Sequence, residues 1–261
     1  RKALVRPMQV DVANTAVLRD VLGAVDIAIN ATLPDFNLAI MAAAREAGCA
    51  YVDPWGLSPV APNETPGVLT QLEQDAAWRE KGSTAIVSMG SDPGISNIMA
   101  RAAADRVESI EEIRILKGAS GGGAIEGYPL YSRSVFLRDA LSRPTVWNSG
   151  KLEPQAFVSG EEEYEFPAPV GRRHVYQFYH EEVLTLPQRL GRPVPRACYK
   201  HDVNPDLVRA IVALDALGLL APEKRLPGVG GEISFREAFL ATFPEPSTLI
   251  GPVSGAMAIV S

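Results

Sequence analysis

The chain has 261 residues, with 25 lysines and arginines against 31 aspartates and glutamates and a formal net charge of −6 at pH 7. The length allows one large domain or two ordinary ones, and a hydrophobic content of 46% excludes a disordered chain. The acidic balance and the lack of a Lys/Arg cluster argue against nucleic acid as a partner, and no apolar run reaches the roughly 18 residues of a membrane span.

Strands and helices alternate in the first third of the chain. Short β-branched or apolar runs predict strands at Met8–Val12, Val25–Ile29, Ala50–Val52 and Thr84–Ser88. Apolar residues at helical spacing predict a helix capped by Asn14, then helices over Phe36–Ala47 and Gly67–Lys81. Strands separated by single helices indicate a parallel sheet with right-handed crossovers.

Small or polar residues follow three of these strands at the point where each ends. The residues are Asn30, Ala31 and Thr32 after the second strand, Asp53 to Gly56 after the third, and Met89 to Asp92 after the fourth. The carboxyl ends of parallel strands meet at one edge of the sheet, and ligands bind in the crevice there. The pattern therefore predicts a polar ligand site, although any one of these residues is also explained by the polarity of loops in general.

The segment Ser91–Ile95 is predicted to open a further helix, Pro93–Val107, with Asp92 at the N-cap and Pro93 at the first helical position. Capping alone explains Asp92. In a functional role, its carboxylate meets an ammonium group, while the N–H groups of the helix end attract a carboxylate or phosphate.

A dinucleotide-binding sheet normally begins with a strand and a G-x-G-x-x-G turn, and no such pattern occurs near Arg1. The glycines at Gly121–Gly123 do not lie between a strand and a helix, so a flexible turn is the better interpretation. If the four predicted strands are the later ones of a sheet with strand order 3-2-1-4-5-6, two strands are absent between the first and the second predicted strand. Their absence leaves a gap of roughly 14 Å in the sheet. We therefore expect the natural protein to extend upstream of Arg1.

The pattern changes from Ile110 onward, where predicted strands follow one another with few helices between them. This predicts a second, α+β domain with an antiparallel sheet, and so a division into residues 1–109 and 110–261. The predicted strands are Ile113–Leu116, Val146–Trp147, Glu163–Phe166, His174–Tyr179, Val183–Leu186 and Gly251–Val260, and the predicted helices are Ser134–Leu141, Asp206–Leu217 and Ser234–Phe243.

Several segments resemble the saccharopine dehydrogenase family. They are Val25–Ala31, Gly48–Asp53, Gly90–Asn97, Tyr128–Ser132, Asn148–Gly150, Phe166–Gly171, Thr185–Pro187 and Ile233–Glu237. The resemblance implies a Rossmann-type NAD(P)-binding domain followed by an α+β substrate and dimerisation domain. It implies an NAD(P)-dependent oxidoreductase that acts on the CH–NH group of an amino acid or a derived secondary amine, with hydride transfer through an imine. A cytoplasmic homodimer in amino-acid metabolism, lysine included, is expected, as is a continuation beyond Ser261.

The site residues expected on this basis fall into three groups. Asp92 is the catalytic candidate. The cofactor-binding candidates are Asp11, Asn30, Ala31, Thr32, Asn37 and Gly90, and the substrate-binding candidates are Asp53, Trp55, Gly94, Asn97, Tyr131 and Arg133. Arg133 is suited to a bidentate carboxylate contact, with a surface arginine as the alternative, and Trp55 is equally explained by packing.

The histidines and cysteines indicate no metal site. None of His174, His180 and His201 pairs with another at i+4, and Cys49 and Cys198 form no C-x-x-C motif, which favours a reducing compartment. His180 precedes Glu181 and Glu182 where relatives often carry His-Pro-Glu, and this departure weakens a role carried over from them. The choice between NAD and NADP stays open, as do two other functions: a nucleotide-binding regulatory module without turnover, and an oxidoreductase on a hydroxyl or aldehyde substrate.

Overall fold

A computed structural model describes residues 5–61, 63–120, 131–226 and 233–243 and the backbone of 254–260. The fold is mixed α/β, as predicted. The chain forms two compact units, the first made of Arg1–Leu57 and Thr65–Ile95 and the second of Ser58–Glu64 and Ser96–Ser261. The division into residues 1–109 and 110–261 stays a prediction.

The first unit contains a parallel three-stranded sheet of Rossmann type. Strands β1 (Ile27–Ile29), β2 (Ala50–Val52) and β3 (Ala85–Ile86) pair in chain order. The helices are α1 (Thr15–Leu22), α2 (Asn37–Ala47), α3 (Gly67–Leu72) and α4 (Asp75–Glu80). Buried side chains of α1, α2 and α4 pack with the sheet around Met41, Tyr51 and Trp78, which places the polar strand ends at the border of one apolar core.

The predicted N-cap of α1 and the predicted C-terminal end of α2 are confirmed. The Asn14 side chain accepts a hydrogen bond from the Val17 N–H, which satisfies one of the unpaired donors at the start of α1. Gly48 ends α2 in the left-handed conformation at φ +75°, and its N–H bonds back to the helix.

Two predicted elements of the first unit are wrong. Met8–Val12 forms no strand, because this segment has no ladder partner among the described residues, and the three strands that do form pair directly with one another. The helix predicted over Gly67–Lys81 is two helices. At Gln74 the backbone N–H bonds to the Gln71 carbonyl three residues back, whereas Glu73 still bonds four residues back, and this tighter turn separates α3 from α4.

The second unit is built on a larger sheet. After α5 (Ile95–Ala104) come β4 (Ile113–Ser120), α6 (Arg133–Leu141), β5 (Thr145–Asn148), β6 (Lys151–Pro154), β7 (Glu162–Glu165), β8 (Arg172–Gln177), α7 (Glu182–Arg189), β9 (Arg196–His201), α8 (Pro205–Ala216), α9 (Phe235–Thr242) and β10 (Ser254–Val260). The sheet order is β10-β4-β9-β5-β6, and β8 pairs with both β7 and β9. All pairs are antiparallel as predicted except β4 and β9, which run parallel.

The segment Val183–Leu186, predicted as a strand, lies in helix α7 instead. A short apolar run has the same sequence pattern in a buried strand and in a buried helix, and here Val183, Leu186 and Leu190 pack into the main core of the unit at helical spacing. Strands β6 and β9 were not predicted. None of the helices in the described parts of the chain is both long and apolar enough to cross a membrane.

Candidate functional site

The carboxyl end of β1 is organised by the side chain of Asn30, which is buried. Its Nδ2 donates to the Asn37 Oδ1 (2.8 Å) and to the Tyr51 hydroxyl (2.9 Å), and its Oδ1 accepts from the backbone N–H (3.0 Å) and the hydroxyl (2.7 Å) of Thr32. Asn37 in turn donates to the Trp55 carbonyl (2.7 Å). Asn30 and Asn37 therefore fix the loops after β1 and β2 to each other, while Ala31 and Thr32 face outward and are exposed.

Asp53, at the carboxyl end of β2, is completely enclosed. Its Oδ1 accepts from the Ser88 backbone N–H (2.8 Å) at the end of β3, and its Oδ2 accepts from the Gln71 side chain (2.5 Å). Burial raises the pKa of this carboxyl, while the hydrogen bonds from Ser88, Gln71 and Tyr51 oppose the rise. Burial and the nearby Asp53 charge also raise the pKa of the Tyr51 hydroxyl. Asp53 thus joins the ends of β2 and β3 through its own side chain.

The loop after β3 is a tight turn that needs both of its glycines. The Ile95 N–H bonds to the Gly90 carbonyl (3.0 Å), and a Cβ on Gly94, at φ +123°, would lie 2.4 Å from that carbonyl oxygen. A Cβ on Gly90 would lie 2.9 Å from the Pro54 carbonyl oxygen. Only glycine permits this close approach of the two backbones.

This turn corrects the prediction that Asp92 is the N-cap of the next helix. Helix α5 begins at Ile95 rather than Pro93, because Gly94 is held outside helical geometry by its contact with Gly90. Asp92 lies within the turn and is partly exposed, and its Oδ1 accepts from the Ser91 hydroxyl (2.5 Å). The carboxylate therefore stands at the same edge of the sheet as Asn30 and Asp53.

The two remaining site candidates of the first unit, Trp55 and Asp11, differ in how far they are exposed to solvent. Trp55 is half-buried next to the Asn37 contact, and Asp11 is exposed, where its Oδ1 accepts from the Ala13 N–H (3.0 Å) in the turn before α1. The structure therefore brings together the ends of the three strands, and it places Asp11 in a separate turn that precedes α1.

The substrate candidates of the second unit belong to its own helices and loops. The Asn97 side chain, on α5, donates to the Thr185 hydroxyl (3.2 Å) on α7. Tyr131 donates its hydroxyl hydrogen to Asp139 (3.2 Å), and Arg133 donates to the Phe243 carbonyl (2.8 Å). The three side chains are half-buried, and the Lys117 ammonium lies over the Tyr131 ring, 5.7 Å from its centroid.

Sequence reasoning missed a buried polar cluster in the second unit. Asp139 accepts from the Ser58 hydroxyl (2.6 Å) as well as from Tyr131, and Glu182 bonds both to His180 and to the Ser96 hydroxyl. Fully buried carboxylates are rare unless they are paired, and one signal was available: three polar residues at 180–182 interrupt an otherwise apolar stretch. Among the described residues, no group of three or more His, Cys, Asp or Glu side chains is placed to hold a metal ion.

The first unit has the strand-end loops of a dinucleotide-binding sheet. Its parallel strands end in ordered loops, and the small side chain of Ala31 and that of Thr32 are exposed on the loop after β1. Residues 5–61 and 63–120 contain no glycine-rich turn between a strand and a helix that would cradle the pyrophosphate.

Comparisons with known proteins agree with this fold. Residues 1–86 match the family described as the saccharopine dehydrogenase NADP binding domain. The chain is 25% identical over 234 residues to a carboxynorspermidine synthase of Vibrio cholerae, covering 86% of this chain and 54% of that protein. It is 24% identical over 255 residues to a carboxyaminopropylagmatine dehydrogenase of Synechocystis, covering 95% of this chain and 61% of that protein.

The fold is also similar to that of the apo saccharopine dehydrogenase (L-Glu forming) of Saccharomyces cerevisiae, with a TM-score of 0.56 and 17% identity, over 84% of this chain and 49% of that one. The chain thus spans about half to three fifths of the length of these relatives. The match over residues 1–86 agrees with the predicted family and with the NAD(P) class of cofactor.

Proposed function

We propose that this chain, whose residues 1–86 belong to the saccharopine dehydrogenase NADP binding domain family, is part of an NAD(P)-dependent oxidoreductase. The substrate is an amino-acid-derived secondary amine, and the reaction transfers a hydride between the nicotinamide and the carbon of its CH–NH group. The observation that carries the proposal is the match of the family model to the unit whose parallel strands end in the Asn30, Asp53 and Gly90 loops.

The substrate class comes from the relatives. Two are named for carboxynorspermidine and carboxyaminopropylagmatine, and the structural neighbour is named for saccharopine. All three names denote compounds in which an amino-acid part and an amine part share a secondary nitrogen. A substrate of this kind carries carboxylate and ammonium groups together, and the half-exposed Arg133 and the Asp92 carboxylate are matched to these two charges.

Within the first unit, each cofactor-binding candidate has a distinct task. Asn30 and Asn37 hold the loop after β1 in shape, Ala31 and Thr32 present its outer surface, and Gly90 keeps the turn after β3 close to the backbone of β2. Asp11 contacts the adenine side. When bound, the nicotinamide supplies hydride chemistry; the chain supplies binding, orientation and exclusion of water.

Asp92 contacts the substrate ammonium or takes a proton from it, as a carboxylate in a partly exposed turn is able to do. Asp53, Trp55, Gly94, Asn97, Tyr131 and Arg133 form the substrate-binding set. Asp53 and Gly94 act mainly by shaping the loops after β2 and β3, since the Asp53 side chain is enclosed and Gly94 has none.

The biological setting is part of the proposal. We place the protein in the cytoplasm because Cys49 and Cys198 are both free thiols in buried positions, as suits a reducing compartment. A homodimer and a role in amino-acid metabolism, lysine included, follow from the family resemblance.

The test uses the purified full-length protein with saccharopine, carboxynorspermidine or carboxyaminopropylagmatine, and NADP⁺ or NAD⁺. We expect formation of reduced nicotinamide with at least one amine, and a fall in kcat/KM of about 10²-fold or more in Asp92→Asn. Asp105→Asn is the matched control, because that exposed carboxylate pairs with Arg101 on the surface of α5. Dinucleotide binding without turnover of any of the three amines would overturn the proposal and favour a regulatory module.

A further inference from the structure

The first unit contains a cavity that lies outside the loops at the strand ends. It has a volume of about 230 Å³ and is lined by residues of α2, α3, α4 and β3 and of the turn before β3. The lining includes the apolar residues Met41, Leu72, Ala85 and Val87 together with polar ones. A cavity with mixed walls of this kind suits a small molecule that has an apolar body and a few polar groups.

Two buried polar atoms belong to residues that line this cavity. Gln71 on α3 is 2% exposed, and Trp78 on α4 is 4% exposed. Within the described parts of the chain, neither Gln71 Oε1 nor Trp78 Nε1 has a hydrogen-bond partner. A buried indole N–H or amide oxygen usually finds a partner, because leaving it unpaired costs its full desolvation free energy. A ligand in the cavity that pairs with both atoms would remove this cost.

The two atoms specify the chemistry of such a ligand. An amide oxygen only accepts hydrogen bonds and an indole N–H only donates them, so the ligand needs one donor and one acceptor, as a carboxamide has. The two charged residues of the described lining, Asp75 and Arg79, are exposed and bond to each other (2.7 Å). A charged ligand would therefore lose hydration without gaining an unpaired counter-charge, which favours a neutral one.

The volume limits the size of the ligand. A cavity of roughly 150 Å³ holds one benzene molecule. The cavity of about 230 Å³ is half as large again, which is enough for one six-membered ring with a carboxamide substituent. Sites for larger ligands occupy roughly 300–1,000 Å³, so the cavity is too small for a dinucleotide and is distinct from a cofactor site.

Gln71 and Trp78 also contact the groups at the strand ends. Gln71 Nε2 donates to Asp53 Oδ2 (2.5 Å), and the Trp78 ring lies against Tyr51 with centroids 6.4 Å apart. An amide that accepts a hydrogen bond at its oxygen becomes a stronger donor at its nitrogen, because hydrogen bonds in a chain polarise one another. A ligand bound to Gln71 Oε1 therefore strengthens the contact with Asp53, which joins the ends of β2 and β3 through its bond from Ser88.

We propose that this cavity binds a small neutral carboxamide carried on a ring, which donates to Gln71 Oε1 and accepts from Trp78 Nε1. Occupation of the cavity tightens dinucleotide binding through the Gln71 contact with Asp53. The effect on the dinucleotide rests on the proposed function, whereas the carboxamide site does not.

The first experiment titrates the full-length protein with benzamide, without dinucleotide, and follows the indole N–H signals by NMR. We expect a Kd in the millimolar range or tighter, as suits a ligand of this size. Acetophenone, which lacks the N–H donor, and benzoate, which is charged, should bind about tenfold more weakly or less. Because this comparison needs no variant, it holds whether or not a substitution in the cavity disturbs folding. Failure of benzamide to bind, or equal affinities for the three compounds, would overturn the site.

Variants locate the bound benzamide. The indole signal that Trp78→Phe removes should shift during the titration, and this variant should bind benzamide about fivefold more weakly or less. Trp147→Phe is the matched control, since the Trp147 Nε1 already donates to the Val194 carbonyl (2.8 Å) in the second unit, and its signal and affinity should stay unchanged. Ala85→Leu should fill the cavity and abolish binding. Benzamide affinity that is the same in all three variants would place the ligand elsewhere and overturn the site.

A second titration tests the effect on the dinucleotide. With saturating benzamide, the Kd for NADP⁺ or NAD⁺ should fall about two- to fivefold in the wild-type protein and stay constant in Ala85→Leu. Benzamide binding with an unchanged dinucleotide Kd would overturn this effect and leave the site in place. A protein that binds benzamide as expected but turns over none of the three amines would overturn the proposed function alone.

Discussion

Replacing Asp139 with asparagine should change how the stability of the protein depends on pH. The side chain is 3% exposed, and its two carboxylate oxygens accept from the Ser58 and Tyr131 hydroxyls. Burial raises the pKa of this carboxyl from 3.8 to about 6, although the Ser58 bond, the charge of His180, the Tyr131 bond and Lys117 all favour the ionised form. Asparagine keeps one acceptor oxygen and cannot ionise.

The magnitude follows from the difference between the folded and unfolded pKa. A folded pKa above the unfolded value means that the native state binds the proton more tightly, so stability is lost as the pH rises. Below about pH 4 the carboxyl is protonated in both the folded and the unfolded state, and it does not lower the free energy of unfolding. Above about pH 6 it is ionised in both states, and the loss of stability is complete. At about 1.4 kcal/mol per pKa unit, the wild-type protein should lose about 3 kcal/mol relative to Asp139→Asn across this interval.

The assay is urea unfolding, followed by tryptophan fluorescence, of both proteins at several pH values across the same interval. The quantity to compare is the difference between their free energies of unfolding, which cancels groups that titrate alike in both. Asp206→Asn is the control, since that side chain is 88% exposed and pairs with Arg209 on the surface of α8. A wild-type protein that gains stability over the variant as the pH rises would refute the reasoning, because His180 and Lys117 would then outweigh burial.

Two further predictions concern the first unit. Gly94→Ala should lower the free energy of unfolding by clearly more than Gly150→Ala, for which we expect a loss of about 1–2 kcal/mol. A Cβ on Gly94 would clash with the Gly90 carbonyl, whereas a Cβ on Gly150, also at positive φ, has nothing within 4 Å. Equal losses of the two variants in denaturant unfolding would contradict this steric argument. Asn30→Ala should cost about 2–3 kcal/mol and weaken dinucleotide binding in a titration, since it removes the buried donor to the Asn37 Oδ1 and the Tyr51 hydroxyl and the acceptor of the Thr32 N–H. Asn148→Ala, which removes only exposed bonds with Glu153 and Ser149, should do neither.

Much of the fold follows from interactions between residues close together in the chain. The Asn14 cap, the Gly48 helix end and the three parallel strands of the first unit were predicted correctly because each depends on backbone geometry or apolar periodicity over a few residues. The sequence also indicated which loops meet at one sheet edge, since the carboxyl ends of parallel strands have no other arrangement. Asn30, Asp53 and Gly90 were correctly placed at this edge in this way, and their role in binding stays a prediction.

Contacts between distant segments decided the rest. Whether Met8–Val12 forms a strand depends on a partner elsewhere, and Val183–Leu186 became a helix because of the core that surrounds it. Strand β9 pairs in parallel with β4, with Ile113 opposite Ala197, which no local pattern encodes. The buried cluster shows this most clearly: Ser58 meets Asp139 across 81 positions and Ser96 meets Glu182 across 86. Local sequence determines which backbone conformations have a low free energy. Only the folded chain determines which polar groups are buried together and must form hydrogen bonds with one another.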